Sequence, residues 1–340
     1  MQSIELKSTT RIPVLDFTKG FLVITMVAYH TLNYFLDGYH ILYAYIGYVT
    51  QAFIFYSGFV SGTVYFNKLI ANKKLVYKRL IVRGCKIILL FFVLNLLIHA
   101  LFQKNFGNQD LGLHLFLDNI TTVFLTGSDK IARFAILLPI GYVLLLSPVL
   151  ISLHRYKYYA FTTIIVFWLL ADVMDVRGFF NLNCILTGIA GVFGGLIYND
   201  QYKRLSIKPL RFAAVAIVLF FLIVFIPFYS DPRSHYISYF LYIIVIVYNM
   251  HLLTGFFNPT GLLTRHVLKF GQYSLYLYLA QIFILQIIKK ILGFNLSSVS
   301  VIHFLLFIFV TLILVGLCYL TDFLRNRFTL MDKIYRFVFA

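Results

Sequence analysis

Stretches of about twenty apolar residues recur along the whole chain, and they limit what it can fold into. One of them, Val301 to Leu320, reads VIHFLLFIFVTLILVGLCYL. Many such segments cannot all be buried in a water-soluble core. Hydrocarbon accepts them if each satisfies its own backbone hydrogen bonds, which for a single segment means a helix. Composition agrees, with 61% of the 340 residues hydrophobic and 12% charged, where a soluble domain is about one quarter charged. The expected fold class is an all-α integral membrane protein.

On a ruler of about twenty apolar residues per span, the sequence gives ten spans. Their approximate limits are 12–36, 41–66, 81–101, 133–153, 158–176, 181–199, 209–229, 236–256, 268–292 and 300–324. The stretch 102–132 is too polar to cross and is expected to be a re-entrant or interfacial segment. No internal repeat or low-complexity run is visible, so the chain reads as one multi-pass domain over 1–340.

The net charge of +17 raises the question of nucleic acid, and its distribution answers it. With ten spans and a cytoplasmic N-terminus, 21 of the 29 Lys and Arg residues fall on the cytoplasmic side. Seven fall outside, and Lys19 lies within the first span. This bias is the positive-inside signature. It assigns the basicity to topology, excludes a nucleic-acid partner, puts both termini in the cytoplasm and points to the cytoplasmic membrane. Cys85, Cys184 and Cys318 stand singly, and the nine histidines form no metal-ligand spacing, so no metal is expected.

The first span, Arg11 to Phe35, carries Asp16, Lys19 and His30. A charge near the bilayer centre costs roughly 2.5 kcal/mol or more, so such groups face a protein interior or a watery cavity and raise a functional question. At ~100° per residue, Asp16, Lys19, Val23, Val27, His30 and Asn33 share a face about 25 Å long. A lone histidine in a helix is commonly a satisfied interior residue. The seam shifts the balance towards a general base, since imidazole can take a proton from a hydroxyl attacking a carbonyl. Asp16 and Lys19 lie too far along the helix to bond His30, and are expected to support the cavity or pair with each other.

Ser57, Gly58, Ser61 and Gly62 in the second span have helical i, i+4 spacing and are expected to let it approach the first span beneath the seam. Arg79, Arg83 and Lys86 share a face at the cytoplasmic start of the third span. They can grip the phosphates of an anionic donor, or simply enforce topology. On the outer side, Asp172, Asp175 and Arg177 precede GFFNLN, Gly178 to Asn183. This group suits carbohydrate binding, although aromatic belts also sit at a membrane mouth for anchoring. Asp322 is expected to be solvated or paired with an arginine.

The opening pattern RxxxLDxxKG, nine residues and then His30, resembles the first span of integral membrane acyltransferases of the acyltransferase-3 kind. Those proteins show an arginine where Lys19 stands. Four stretches are similar, in order, to OpgC-type proteins of periplasmic glucan modification. They are FIFYSGFVSG (Phe53 to Gly62), ILLPIGYVLLLSPVL (Ile136 to Leu150), GFFNLNCILTGIAGVFGG (Gly178 to Gly195) and FGQYSLYLYLAQIF (Phe270 to Phe283). Where the wider superfamily has a Trp-His pair, this chain has Ala280 and Gln281. The resemblance implies ten helices, a cytoplasmic acyl-CoA donor, a glycan hydroxyl as acceptor and His30 as the essential base. It also implies transfer of an acetyl, succinyl or similar group. A transporter or flippase of an envelope glycan or lipid, and a catalytically inactive accessory subunit, are the competing expectations.

Overall fold

The computed structural model describes residues 12–37, 46–47, 49–69, 72–101, 113–127, 132–173, 180–201, 261–293 and 298–339. These form helices and connecting turns, with no strand among the described residues. Helix α1 is Pro13–Phe35 and α2 is Val49–Val60. A π-helical stretch Ser61–Tyr65 and a last turn Phe66–Leu69 continue α2. There follow α3 Lys73–Leu101, α4 Leu113–Asp118, α5 Ile120–Leu125, α6 Leu137–Ser152, α7 Lys157–Val173 and α8 Phe180–Gln201. The chain closes with α9 Leu262–Gln272, α10 Ser274–Leu292, α11 Val301–Arg327 and α12 Thr329–Phe339.

Among the described residues four helices are long and apolar enough to cross a membrane: Lys73–His99, Phe180–Asn199, Ser274–Leu292 and Val301–Arg327. A fifth arises if α6 and the start of α7, bent by 82° at the His154 turn, count as one broken span. Helix α1 has 23 residues, about 35 Å by helical rise, but its polar seam keeps it out of that apolar set. The expected spans 209–229 and 236–256 lie outside the described residues. The expected span 268–292 is divided: α9 ends at Gln272, and α10 starts afresh at Ser274 after Tyr273, whose φ, ψ of −104°, 17° leaves the helical region.

Small residues set the closest helix pairs. Gly58 and Gly62 of α2 face α8, and β-carbons added to them would run into the Gly188 and Val192 carbonyls. Gly191 and Gly195 answer from α8 against the Phe55 and Phe59 carbonyls. The expectation that the second span's glycines meet the first span is therefore corrected. Positions 58 and 62 sit ~100° round from 57 and 61, so the glycines line α8 while the serines turn the other way. Helix α1 has its own close partner, α9, where Gly20 meets Val267 and Gly271 meets Asp16. Tyr56 ties α2 to α1 by donating to the Leu15 carbonyl at 3.1 Å.

The segment expected to be re-entrant or interfacial contains the two short helices α4 and α5, folded against α3, α6 and α8. The buried Asn181 amide donates to the Val123 and Phe124 carbonyls, both at 3.0 Å, and its backbone N–H donates to Thr126 at 2.9 Å. Tyr142 of α6 donates to the Phe124 carbonyl at 2.9 Å. Asn181, offered by the sequence to a carbohydrate, is occupied in holding this segment.

At the far end, Asp322 pairs with Lys269 at 2.5 Å and accepts from the Tyr273 hydroxyl, where the sequence pointed to solvent or an arginine. Helix α12 is amphipathic. Its Asp332 accepts from Arg325 and Arg336, both at 2.7 Å. Its Tyr335 and Phe339 rings sit on Tyr273 and Tyr276 at 5.4 and 5.5 Å. Leu330, Ile334 and Phe337 face outward.

Candidate functional site

Helices distant in sequence enclose a cavity of about 70 Å³. Lys19 enters from α1, Ser57 and Ser61 from α2 and its π-helical extension, Arg83 from α3, and Ser274 from α10, with Ile87, Ile140 and Leu144 as apolar wall. The π-helical stretch matters here. Widening the turn over Ser61–Tyr65 rotates the residues beyond it, and Tyr65 also lines the cavity, accepting from Arg83 Nη1 at 3.4 Å. The Ser57 and Ser61 hydroxyls donate back to the Phe53 and Ser57 carbonyls at 2.9 and 3.0 Å, so each oxygen still has acceptor capacity. Two cations and no carboxylate line the cavity among the described residues. In a low-dielectric setting that arrangement favours an anion.

The sequence candidates separate around this cavity. Lys19 and Arg83 come together in it. Arg79 is exposed, and Lys86 lies over the Phe337 ring of α12 at 5.0 Å. The Asp16 backbone carbonyl abuts Gly271, and Asp16 is not part of the lining. Asp172 lies in α7 without a described side chain, and Asp175 and Arg177 lie outside the described residues.

His30 is eleven residues from Lys19, about 16 Å along the helix. The seam is not open between them, because Val23 and Val27 are fully buried in the core. His30 sits instead among aromatics, with ring centroids 5.3 Å from Tyr29, 6.4 Å from Tyr34 and 6.3 Å from Tyr278. Its Nδ1 is covered and has no hydrogen-bond partner. Tyr278 is the shared wall. Its ring touches His30 on one side and, at 6.5 Å, Phe53 of the cavity lining on the other. Phe134 backs Tyr278 at 6.2 Å and holds a φ of 55°. Bulky residues rarely adopt that left-handed backbone, and such strain concentrates at functional sites.

Two glutamines follow Tyr278 along α10. Gln286 donates to the Tyr34 hydroxyl at 3.1 Å, and its Oε1 is buried without a partner. Gln281 is fully buried with neither amide atom bonded. From the sequence, Gln281 stands out only as a departure from a family pattern, and Gln286, Tyr34 and Tyr278 do not stand out at all. Two amides flanking Phe283 in an otherwise apolar run were the available signal, since polar groups inside a membrane need partners.

Comparison with family models, with curated proteins and with solved structures finds no match for this chain.

Proposed function

We propose that the chain is a membrane-embedded O-acyltransferase that moves an acyl group from a cytoplasmic acyl-CoA to a hydroxyl of a cell-envelope glycan. One observation carries the reading: a single helix, α1, brings Lys19 to a cationic cavity shared with Arg83 and, about three turns on, holds His30 among aromatic rings with its Nδ1 unbonded. In this reading the first site holds the donor's phosphates, with Arg83 offering the planar fork suited to them. The second site runs the chemistry. His30 takes the proton of the acceptor hydroxyl as its oxygen bonds to the thioester carbonyl carbon. The carbon–sulfur bond then breaks, and the thiolate takes the proton, giving an ester and free thiol. Ten spans, cytoplasmic termini and residence in the cytoplasmic membrane belong to the same reading and rest on the charge count.

The test is mass spectrometry of envelope glycans from cells carrying wild-type chain, His30→Ala or no chain. The expected result is loss of an acyl substituent in the last two, with the glycan still present outside. Unchanged substitution with His30→Ala, in a variant present at wild-type level in the membrane, would overturn the assignment. Loss of the whole glycan from the outer side would instead establish transport.

A further inference from the structure

We infer that Gln286 and Tyr34 form a subsite for the second hydroxyl of a vicinal diol, adjoining the His30 ring. Three observations converge on it. Gln286 is 1% exposed and spends its amide N–H on the Tyr34 hydroxyl at 3.1 Å. Its Oε1 is left buried and unbonded. Reversing the amide only exchanges which atom is orphaned, so one unmet polar group remains either way. Tyr34 accepts from Gln286, which leaves its own O–H to donate to another group. The Tyr34 ring stands 6.4 Å from His30, whose Nδ1 is likewise unbonded.

Buried polar atoms are almost always satisfied, and exceptions mark strain or a missing ligand. Here the unmet groups are an amide oxygen and an imidazole nitrogen, flanking a phenol. A single alcohol can answer one of them. Two hydroxyls on adjacent carbons can answer both, one lying on His30 and its neighbour between Gln286 and Tyr34. His30 and Tyr34 keep partial exposure and Asn33 beside them is exposed, while His30 Nδ1 and Gln286 Oε1 are covered, so a small polyol enters from that side by displacing the rings over them. A sugar ring and a glycerol headgroup share this diol chemistry.

Which hydroxyl reacts rests on the acyl-transfer reading, whereas the binding does not. The experiment therefore reads binding without turnover, using the full chain in phosphatidylcholine nanodiscs and saturation-transfer NMR with methyl β-glucoside. Wild type should saturate the sugar protons, and cis-cyclohexane-1,2-diol should displace the glucoside far better than cyclohexanol. Gln286→Leu and the near-isosteric Tyr34→Phe should each weaken binding about tenfold, the effect of one neutral hydrogen bond lost with its partner left unpaired. Tyr34→Phe keeps the ring packing, so it carries the test if Gln286→Leu does not fold. Abolition of the signal in phosphatidylglycerol discs would support the site and name a lipid headgroup as its occupant, and persistence would name a sugar. Wild-type binding in Tyr34→Phe, or equal displacement by cyclohexanol, would overturn the subsite. Glucoside binding in a chain that acylates nothing would overturn acyl transfer and leave the subsite standing.

Discussion

Gly271→Ala tests how the cationic cavity is held in place. A β-carbon at Gly271 would stand 2.8 Å from the α-carbon of Asp16 and nearer still to its carbonyl oxygen, where ordinary contact begins at 3.4 Å. Clearing the α-carbon demands that α1 and α9 part by 0.6 Å, and clearing the oxygen demands more. Both sides are backbone, so no side chain can rotate away. Overpacking of this kind costs about 3 kcal/mol at the upper end of its usual range. At ~2.1 cal/mol/K of unfolding entropy per residue, that corresponds to a fall of about 4 °C in Tm for a chain of this length. Lys19 follows one turn after Asp16 and moves with it, and a misplacement of ~1 Å can cost about 10²-fold in activity. The assay is thermal unfolding read by a thiol-reactive dye. Cys184 and Cys318 are buried and report unfolding, and exposed Cys85 is first changed to Ser. Gly316→Ala in α11 is the control. Nothing lies within 4 Å of its added carbon, so helix propensity alone should raise stability by about 0.8 kcal/mol. Pairing Gly20→Ala with Gly271→Ala should cost less than the sum, because one displacement relieves both clashes. A Tm for Gly271→Ala at or above that of Gly316→Ala would refute the close approach of α1 and α9.

Arg83→Gln should weaken acyl-CoA binding to purified chain at least tenfold and leave methyl β-glucoside binding unchanged; equal affinity would return Arg83 to a topological role. Tyr278→Ala should open the wall between cavity and His30, raising donor hydrolysis in the absence of acceptor, while Tyr278→Phe should retain the wild-type ratio of transfer to hydrolysis. Asn181→Ala takes the side-chain donor from the buried Val123 carbonyl, while Tyr142 still serves Phe124, and should lower stability by about 1–3 kcal/mol, measured by the same thiol assay. The hydrogen bond from Arg325, with Arg336 beside it, holds the Asp332 carboxyl below the usual carboxylate range. A depressed carboxyl contributes above its unfolded value of about 3.9 and loses that contribution as pH falls through the lower folded value. Docking of α12, read by limited proteolysis at Lys333, should therefore not change from pH 7 to 5 and should loosen below about pH 4; Asp332→Asn should be loosened throughout.

Legibility in the sequence tracks periodicity. The polar face of α1 was legible because a 3.6-residue repeat places Asp16, Lys19 and His30 without knowledge of any partner. Its interruption was not, since Val23 and Val27 lie on the same face and only their full burial in the core shows the seam to be closed. The glycines of α2 announced a close approach but not the identity of α8, which depends on the reciprocal Gly188, Gly191 and Gly195 surface. The meeting of Lys19 with Arg83 depends on how α1, α2 and α3 pack, and no local pattern encodes it. The boundary at Gln272 was marked only by the short run GQYS, Gly271 to Ser274, between two apolar stretches, with no proline to signal the break. Helix α12, with 11 residues, fell below a ruler set for spans, although Leu330, Ile334 and Phe337 already recur at helical spacing.

The separation of the two polar sites gives the wall between them a physical role. Opening a continuous polar channel along α1 would let water and protons follow the substrate, and a thioester beside an imidazole would then hydrolyse. Excluding water also strengthens each interaction at the reacting atoms. Val23, Val27, Phe53 and Tyr278 are placed to exclude it, leaving the cations on one side and the His30 ring on the other. Tyr278 stands against both His30 and the cavity-lining Phe53 ring, and it is backed by Phe134 in a strained backbone conformation. On the proposed reading, a donor anchored at Lys19 and Arg83 reaches His30 only by moving Tyr278, which couples donor binding to formation of the reacting pair.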